Sequence, residues 1–403
     1  MIIKRREFAA LGIGAAATLA APRILRAEEP EIVIGAPNAL TGGYAEASQR
    51  YAQGLQVAIA RINELGGIKS LGGAKLRAVV ADTSGENPAQ AASVTRRMIT
   101  EDKAIALVGC NVSAMTLSAQ VEAERARIPL ITASYADQIT QRGMQYTFKL
   151  SRLGSEIFGM GLTYAVDMMT ARDGKRPTRL AVYTASDASS MSVGAAAEKL
   201  AKANNLEMVA RVAYPSNVTD ATPIIGSALQ SRPDLILMSA ETDDLIFVVR
   251  ALRGAGVKAP IVSGGGAIAS DSAGRNLGAA ANGLIGTVDW NGDLNLPGVK
   301  EVVEGYRKMF PNNPYPPASE QLGTGYVAGM IFAEAIEKTA SRDPQKIRDY
   351  ISTHEFDMPV PGGKVAFDEK GLTRTSIPVM VGWIGGHLRT IWPKEFQTVA
   401  PDF

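Results

Sequence analysis

The stretch that decides the fold reads A-I-A-L-V-G-C-N-V-S-A-M-T over residues 104–116, continues as an amphipathic span through Arg127, and closes with I-P-L-I-T-A-S-Y-A-D over 128–137. An apolar run ending at Val108-Gly109 without alternation predicts a buried parallel strand. Asn111 and Ser113 then stand where a helix begins, with Ser113 as its expected N-cap. Pro129 to Thr132 predicts a second short strand, again followed by a small polar loop. In open α/β sheets such loops lie side by side at the strand ends, and ligands bind in the crevice outside them. Unpaired N–H groups and the positive end of the helix dipole favour an anion there, such as a carboxylate.

Outward from this stretch the same alternation repeats. Ile32–Ala36 predicts a strand, Thr41–Tyr44 the turn after it, and Tyr51–Leu65 a helix stopped by Gly66-Gly67. Lys75–Asp82 predicts a strand, and Asn87-Pro88 opens a helix with proline at a tolerated first-turn position. After an extended run at Tyr146–Ser151 and a helix from Gly154, a second block follows. Its strands are expected at Leu180–Thr184, Met208–Tyr214, Leu235–Ser239 and Pro260–Ser263. Helices are expected between them near Val193–Ala203, Asp220–Gln230 and Thr242–Arg253. Two such blocks imply two layered parallel-sheet lobes. The last third predicts a strand at Leu284–Val288, helices at Val299–Met309, Leu322–Thr339 and Gln345–Ile351, and a proline-rich stretch at 311–317. Val365–Phe367, Val379–Ile384 and Leu388–Trp392 are expected as antiparallel strands joined by Gly371 and Gly385-Gly386.

Residues 1–27 read as an export signal: Lys4, Arg5 and Arg6, an apolar run from Ala9 to Ala21, and cleavage expected after Ala27. The order K-R-R-E-F points to the twin-arginine type. Removing this segment takes away five basic residues and Glu7, leaving 37 basic and 39 acidic residues of the 42 and 40 in the whole chain. That balance lacks the basic footprint of a nucleic-acid binder. One cysteine, Cys110, excludes an internal disulfide and any Cys-rich zinc site, and His354 and His387 lack metal-ligand spacing. No metal site or cofactor is expected. There is no G-x-S-x-G elbow and no G-x-x-x-x-G-K-[ST] phosphate loop, so an enzyme is not expected. The run Gly264-Gly265-Gly266-Ala267 favours close backbone approach to a ligand or to the facing lobe. Polar loops follow the strands of both blocks. Tyr44 and Tyr135 offer apolar walls with a polar handle, and Glu241 and Asp187 offer acceptors for an ammonium or hydroxyl group.

Eight segments, in this order, carry a resemblance: I-G-A-P-N-A-L-T-G-G-Y-A (34–45), A-R-I-N-E-L-G-G-I (60–68), A-L-V-G-C (106–110), I-P-L-I-T-A-S (128–134), A-V-Y-T-A-S-D (181–187), P-D-L-I-L-M-S (233–239), A-E-A-I-E-K (333–338) and V-A-F-D-E-K-G (365–371). The chain resembles the periplasmic solute-binding proteins of the branched-chain and hydrophobic amino-acid ABC importers, the Leu/Ile/Val-binding type. The resemblance implies an α/β, two-lobed type I periplasmic binding fold, each lobe a mostly parallel sheet flanked by helices, with three crossings. The expected lobes are 28–150 plus 288–364 and 151–287 plus 365–403. It further implies an exported, periplasmic receptor that closes on a small carboxylate-bearing solute. The receptor delivers the solute to the transmembrane subunits of a permease, which are its only link to the inner membrane.

By the same resemblance the ligand carboxylate falls to the loops at Val112–Thr116 and Ser134–Asp137. The implied contacts are Ser113, Ala114, Thr116, Tyr135, Ala136 and Asp137, with Tyr44 beside them and Met191, Glu241 and Gly265 facing from the second lobe. Amino-acid binders of this type take an acidic residue from the loop at Gly264–Gly266, which here has none, and a tyrosine where Met191 falls. Two readings follow: Glu241 is the replacement acceptor, or the ligand has no ammonium group. Aromatic carboxylates, amide- or urea-like solutes, and a ligand-sensing role stay open at this point.

Overall fold

The computed structural model describes residues 30–84, 87–313 and 319–402. The expected export signal at 1–27 lies outside them, as do residues 314–317 of the proline-rich stretch. In chain order the first lobe opens with β1 (Ile32–Asn38), α1 (Ala45–Glu64), β2 (Leu76–Asp82), α2 (Pro88–Thr100), β3 (Ala106–Val108), α3 (Ser113–Ala126), β4 (Leu130–Thr132) and β5 (Thr147–Lys149). The second holds α4 (Gly154–Asp173), β6 (Arg179–Ala185), α5 (Ala188–Ala203), β7 (Glu207–Tyr214), α6 (Thr222–Ser231), β8 (Leu235–Ser239) and α7 (Thr242–Gly254). It continues with β9 (Ile261–Gly264), α8 (Gly266–Ala269), α9 (Asp271–Leu277) and β10 (Leu284–Val288). Then come α10 (Val299–Met309), α11 (Glu320–Thr339), α12 (Pro344–Thr353), β11 (Phe356–Asp357), β12 (Lys364–Val365), β13 (Val379–Ile384) and β14 (His387–Trp392).

The first sheet has the order β2-β1-β3-β4-β5, every pair parallel. The second is β14-β13-β10-β9-β8-β6-β7, in which β7, β6, β8, β9 and β10 are parallel and β13 and β14 run antiparallel at one edge. The five parallel strands of the second sheet thus repeat the connectivity of the first. Each sheet reverses its winding once, between β1 and β3 and between β6 and β8. Such reversals open a crevice at the carboxyl ends of the strands.

Burial on both faces explains the strand sequences. β1, β3, β8 and β10 are buried at every residue, as covered parallel sheets require. Helices α1, α11 and α12 pack one apolar cluster against the first sheet, centred on Tyr51, Leu55, Ile131, Phe332 and Phe356. The second sheet is covered on both faces. α10, within the span expected for the first lobe, packs Val299, Val302 and Tyr306 into a cluster with Trp290 and residues of the second sheet.

Two expectations need correction. The segment at 364–367 pairs antiparallel with β11, through Phe356–Val365 and Asp357–Lys364, and not with β13 or β14. Only β13 and β14 form the hairpin, turned by Gly385 and Gly386 at φ +59° and +78°, a pair of left-handed residues suited to a tight hairpin. Helix α1 begins at Ala45, well before Tyr51. Its first turns carry the buried polar residues Ser48 and Arg50, which hide the helical apolar pattern.

The chain passes between lobes three times: after β5, after β10, and between Thr373 and Val379. Near the last crossing, residues 371–373 run beside β5, with Lys149 N–H donating to Gly371 O at 2.7 Å and Thr373 N–H to Lys149 O at 2.9 Å. No helix among the described residues is long and apolar enough to cross a membrane.

Candidate ligand-binding cleft

A cavity of ≈ 240 Å³ lies where the two winding reversals face each other. The first lobe lines it with Tyr44, from the turn after β1, and with Val112, Ser113, Ala114 and Met115 after β3. The second lobe supplies Ser186, Asp187 and Ala188 after β6, Ser216 after β7 and Glu241 after β8. Of the residues expected in the site, Tyr44, Ser113, Ala114 and Glu241 meet here.

Ser113 is the first residue of α3, and the N-cap is Val112, whose side chain makes no capping bond. Ser113 therefore does not cap. Its Oγ accepts the Ala136 N–H at 3.1 Å, tying together the two loops that the sequence marked out. A hydroxyl accepts and donates at once, so this contact fixes the oxygen and leaves its hydrogen for the cleft. The first helical bond of α3 is Thr116 N–H to Val112 O at 2.9 Å. Ahead of it the N–H groups of Ser113, Ala114 and Met115 form an uncapped N-terminus on the cavity wall.

Across the gap the charge is negative. Asp187 is the N-cap of α5, its Oδ1 accepting from Ser189 N–H at 3.0 Å and Ser190 N–H at 2.9 Å. Its Oδ2 is buried without a hydrogen-bond partner among the described residues. Glu241 is the N-cap residue of α7 but makes no side-chain cap. The cleft thus has an electropositive, donor-rich wall and a wall bearing two carboxyl groups.

The other expected residues lie elsewhere. Met191 is 58% exposed on the first turn of α5 and does not line the cavity. Thr116 is buried, its hydroxyl 2.8 Å from Cys110 O and 2.7 Å from Ser134 Oγ. Asp137 accepts from the Ser155 N–H at 3.2 Å and hydroxyl at 2.6 Å at the start of α4, while its own N–H donates to Ser192 Oγ of the second lobe at 3.2 Å. Ala136 is fully buried. Gly265, at φ +65°, allows the Tyr135 ring to lie on the second lobe, because a Cβ there would sit 2.4 Å from the ring. Asp187, named with Glu241 as a possible acceptor though not among the contacts implied by the resemblance, lines the cavity, and Ser216, which was not expected there, completes it. The sequence signals for them are a capping S-D-A-S-S at 186–190 and a polar turn after β7.

Beneath the cleft the crossings share a buried polar cluster. The Tyr135 hydroxyl donates to Glu320, which also accepts the Asp289 N–H at 2.7 Å. Asp289 accepts from Ser376 Oγ at 2.6 Å, and Lys149 Nζ donates to Arg152 O at 2.6 Å. Burial raises the Asp289 carboxyl and lowers the Lys149 ammonium. Burial, then the Asp289 charge, pushes Glu320 from 4.5 up to about 8. The folded protein therefore keeps a proton on Glu320 that the unfolded chain releases above its ordinary carboxyl pKa. Stability from that proton is complete at low pH and is lost as pH rises through about 8. Glu320→Gln, which cannot ionise, is expected to flatten the fall in urea midpoint between pH 6 and 8.5. Parallel wild-type and variant profiles would refute this assignment.

Matches to known proteins agree with this architecture. A family model described as periplasmic binding protein matches residues 31–381. The chain belongs to this family. A Leu/Ile/Val-binding protein homolog of Brucella suis is 24% identical over 402 residues, covering 96% of each chain. A leucine binding protein from Thermotoga maritima superposes with TM-score 0.76 at 22% identity, over 90% of this chain and 98% of that one. A family fold with a different ligand is the solute binding protein of Rhodopseudomonas palustris in complex with p-hydroxybenzoic acid. It has TM-score 0.77 and 20% identity, over 89% of this chain and 95% of that one.

Proposed function

We propose that this family member is the exported substrate-binding component of an ABC importer, and that it closes on a small zwitterionic amino acid of the branched-chain or hydrophobic class. The observation that carries the ligand class is the opposed polarity of the cleft. The uncapped start of α3 and the Ser113 hydroxyl hold a carboxylate, and Asp187 and Glu241 hold an ammonium group. Val112, Ala114, Met115 and the Tyr44 ring give an apolar side chain its surroundings. Leu/Ile/Val-binding relatives support the same class.

Mechanistically, no residue needs to react. A ligand that bridges both walls gains contacts only when the lobes are together, so it shifts an open–closed equilibrium toward closure. The closed form is then what the permease receives.

A thermal-shift panel of leucine, isoleucine, valine, 4-hydroxybenzoate, simple amides and urea tests the ligand class. Ligand at about 100 times its dissociation constant adds about 2.7 kcal/mol of stability. Response to the aliphatic amino acids supports the proposal, and response confined to 4-hydroxybenzoate or urea refutes it. Within the site, Ser113→Ala removes one donor to a charged group, which contributes about 1.5–3 kcal/mol. Leucine affinity measured by calorimetry is expected to fall about tenfold or more. An unchanged affinity would remove Ser113 from the ligand's contacts.

A further inference from the structure

The lobes also touch through a carboxylate that does not line the cleft. Glu46 lies in the first turn of α1, where an acidic side chain ordinarily serves the dipole of its own helix. Here its carboxylate reaches the start of α9 in the second lobe. Oε1 accepts the Asp271 N–H at 2.6 Å, and Oε2 is 3.3 Å from the Ser272 N–H. Ser270 caps only the next group, the Ala273 N–H, at 3.1 Å. Two of the N–H groups at the start of α9 are thus satisfied from the opposite lobe.

The surroundings hold Glu46 in this role. One turn further along α1, the buried Arg50 lies 3.6 Å from Asp271 Oδ2 and donates to the Tyr306 hydroxyl of α10. The Asp271 carboxyl is raised to about 6 by burial and then by Glu46. Close by, the Gly266 backbone lies against the Gln321 side chain of α11, whose Nε2 a Cβ there would meet at 2.4 Å.

We propose that Glu46 is a closure latch, a positioning residue that joins α1 to the N–H groups of α9 when the lobes are together and so sets ligand affinity without touching ligand. This rests on the reading of the chain as a hinge-closing receptor. Opening the lobes exchanges two charge-assisted bonds for water, so the latch raises the closed fraction before any ligand arrives. Apparent affinity scales with that fraction.

The test compares wild type with Glu46→Ala and Glu46→Gln, using the exported chain. Small-angle X-ray scattering without ligand reads the lobe separation, calorimetry with leucine reads affinity, and thermal melting reads the fold. For Glu46→Ala we expect a larger radius of gyration without ligand. Its leucine affinity should be about tenfold weaker, with the order of leucine, isoleucine and valine unchanged. Glu46→Gln keeps an acceptor oxygen and should fall between the two. A ligand-free scattering profile for Glu46→Ala that superposes on the wild-type profile would overturn the latch, whatever happens to affinity or melting. Should wild type bind no leucine, the ligand assignment fails, and the scattering comparison still judges the latch alone.

Discussion

Neutralising the second wall of the cleft, as Asp187→Asn with Glu241→Gln, is expected to weaken leucine binding about a hundredfold or more. Losing one partner of a desolvated charge pair costs about 2–5 kcal/mol, and each carboxyl group faces the same proposed ammonium. Asparagine caps a helix about as well as aspartate. The bonds from Ser189 and Ser190 that start α5 therefore survive, and the change isolates charge from fold. The sign of the effect separates two ligand classes. A zwitterion loses its anchor, whereas a carboxylate without a cation, such as 4-hydroxybenzoate, is relieved of repulsion and should bind more tightly. Calorimetry with both compounds on the double variant decides. Weaker leucine binding with tighter 4-hydroxybenzoate binding supports the zwitterion. Equal leucine affinity in variant and wild type would remove both carboxyl groups from the site.

The largest expected effect on stability lies far from the cleft, where α1 crosses α11. A Cβ on Gly325 would stand 2.1 Å from the Tyr51 carbonyl oxygen, and one on Gly54 would stand 2.1 Å from that of Leu322. Both obstacles are helix backbone, which a rotamer change cannot clear. Overpacking ordinarily costs about 1–3 kcal/mol, and with backbone on both sides Gly325→Ala should reach or exceed the top of that range. The matched control is Gly226→Ala in α6, where a Cβ meets nothing within 4 Å. That change should stabilise by about 0.5–1 kcal/mol through helix propensity. Urea midpoints for the two variants should move in opposite directions, and a shared direction would refute the packing argument.

How much of this was legible in the sequence follows from what each element buries. β8 at Leu235–Ser239, β10 at Leu284–Val288 and β13 at Val379–Ile384 match the expected bounds residue for residue. Continuous apolar runs of that length leave little choice. Helix α10 matches as well, since its apolar residues keep strict helical spacing. The start of α1 was not legible because its buried residues Ser48 and Arg50 are polar, and α9 was not because its seven residues bury only Asp271, Ala273 and Leu277, too few to show a helical period. In the site, the loops after β1, β3, β6 and β8 could be named from strand order alone. The residue choices within them were harder. Met191 was placed by analogy to a tyrosine of relatives, yet the cap geometry of α5 turns Asp187 to the cavity and leaves Met191 outside. Ser113 was expected as a helix cap, and only the position of Ala136 shows that its oxygen is engaged elsewhere.

The three crossings have a mechanical consequence. Arg152 Nε donates to Ser376 O at 2.8 Å, and the Ser376 hydroxyl is bonded to Asp289, so the tethers are stitched into one narrow band. Such a band bends readily about a single axis and resists twist and slide. Motion of the lobes is thereby reduced to one coordinate, like a book about its spine. A solute entering the gap then has a single angle to select, and a nick in any one tether would leave two others to keep the pages in register.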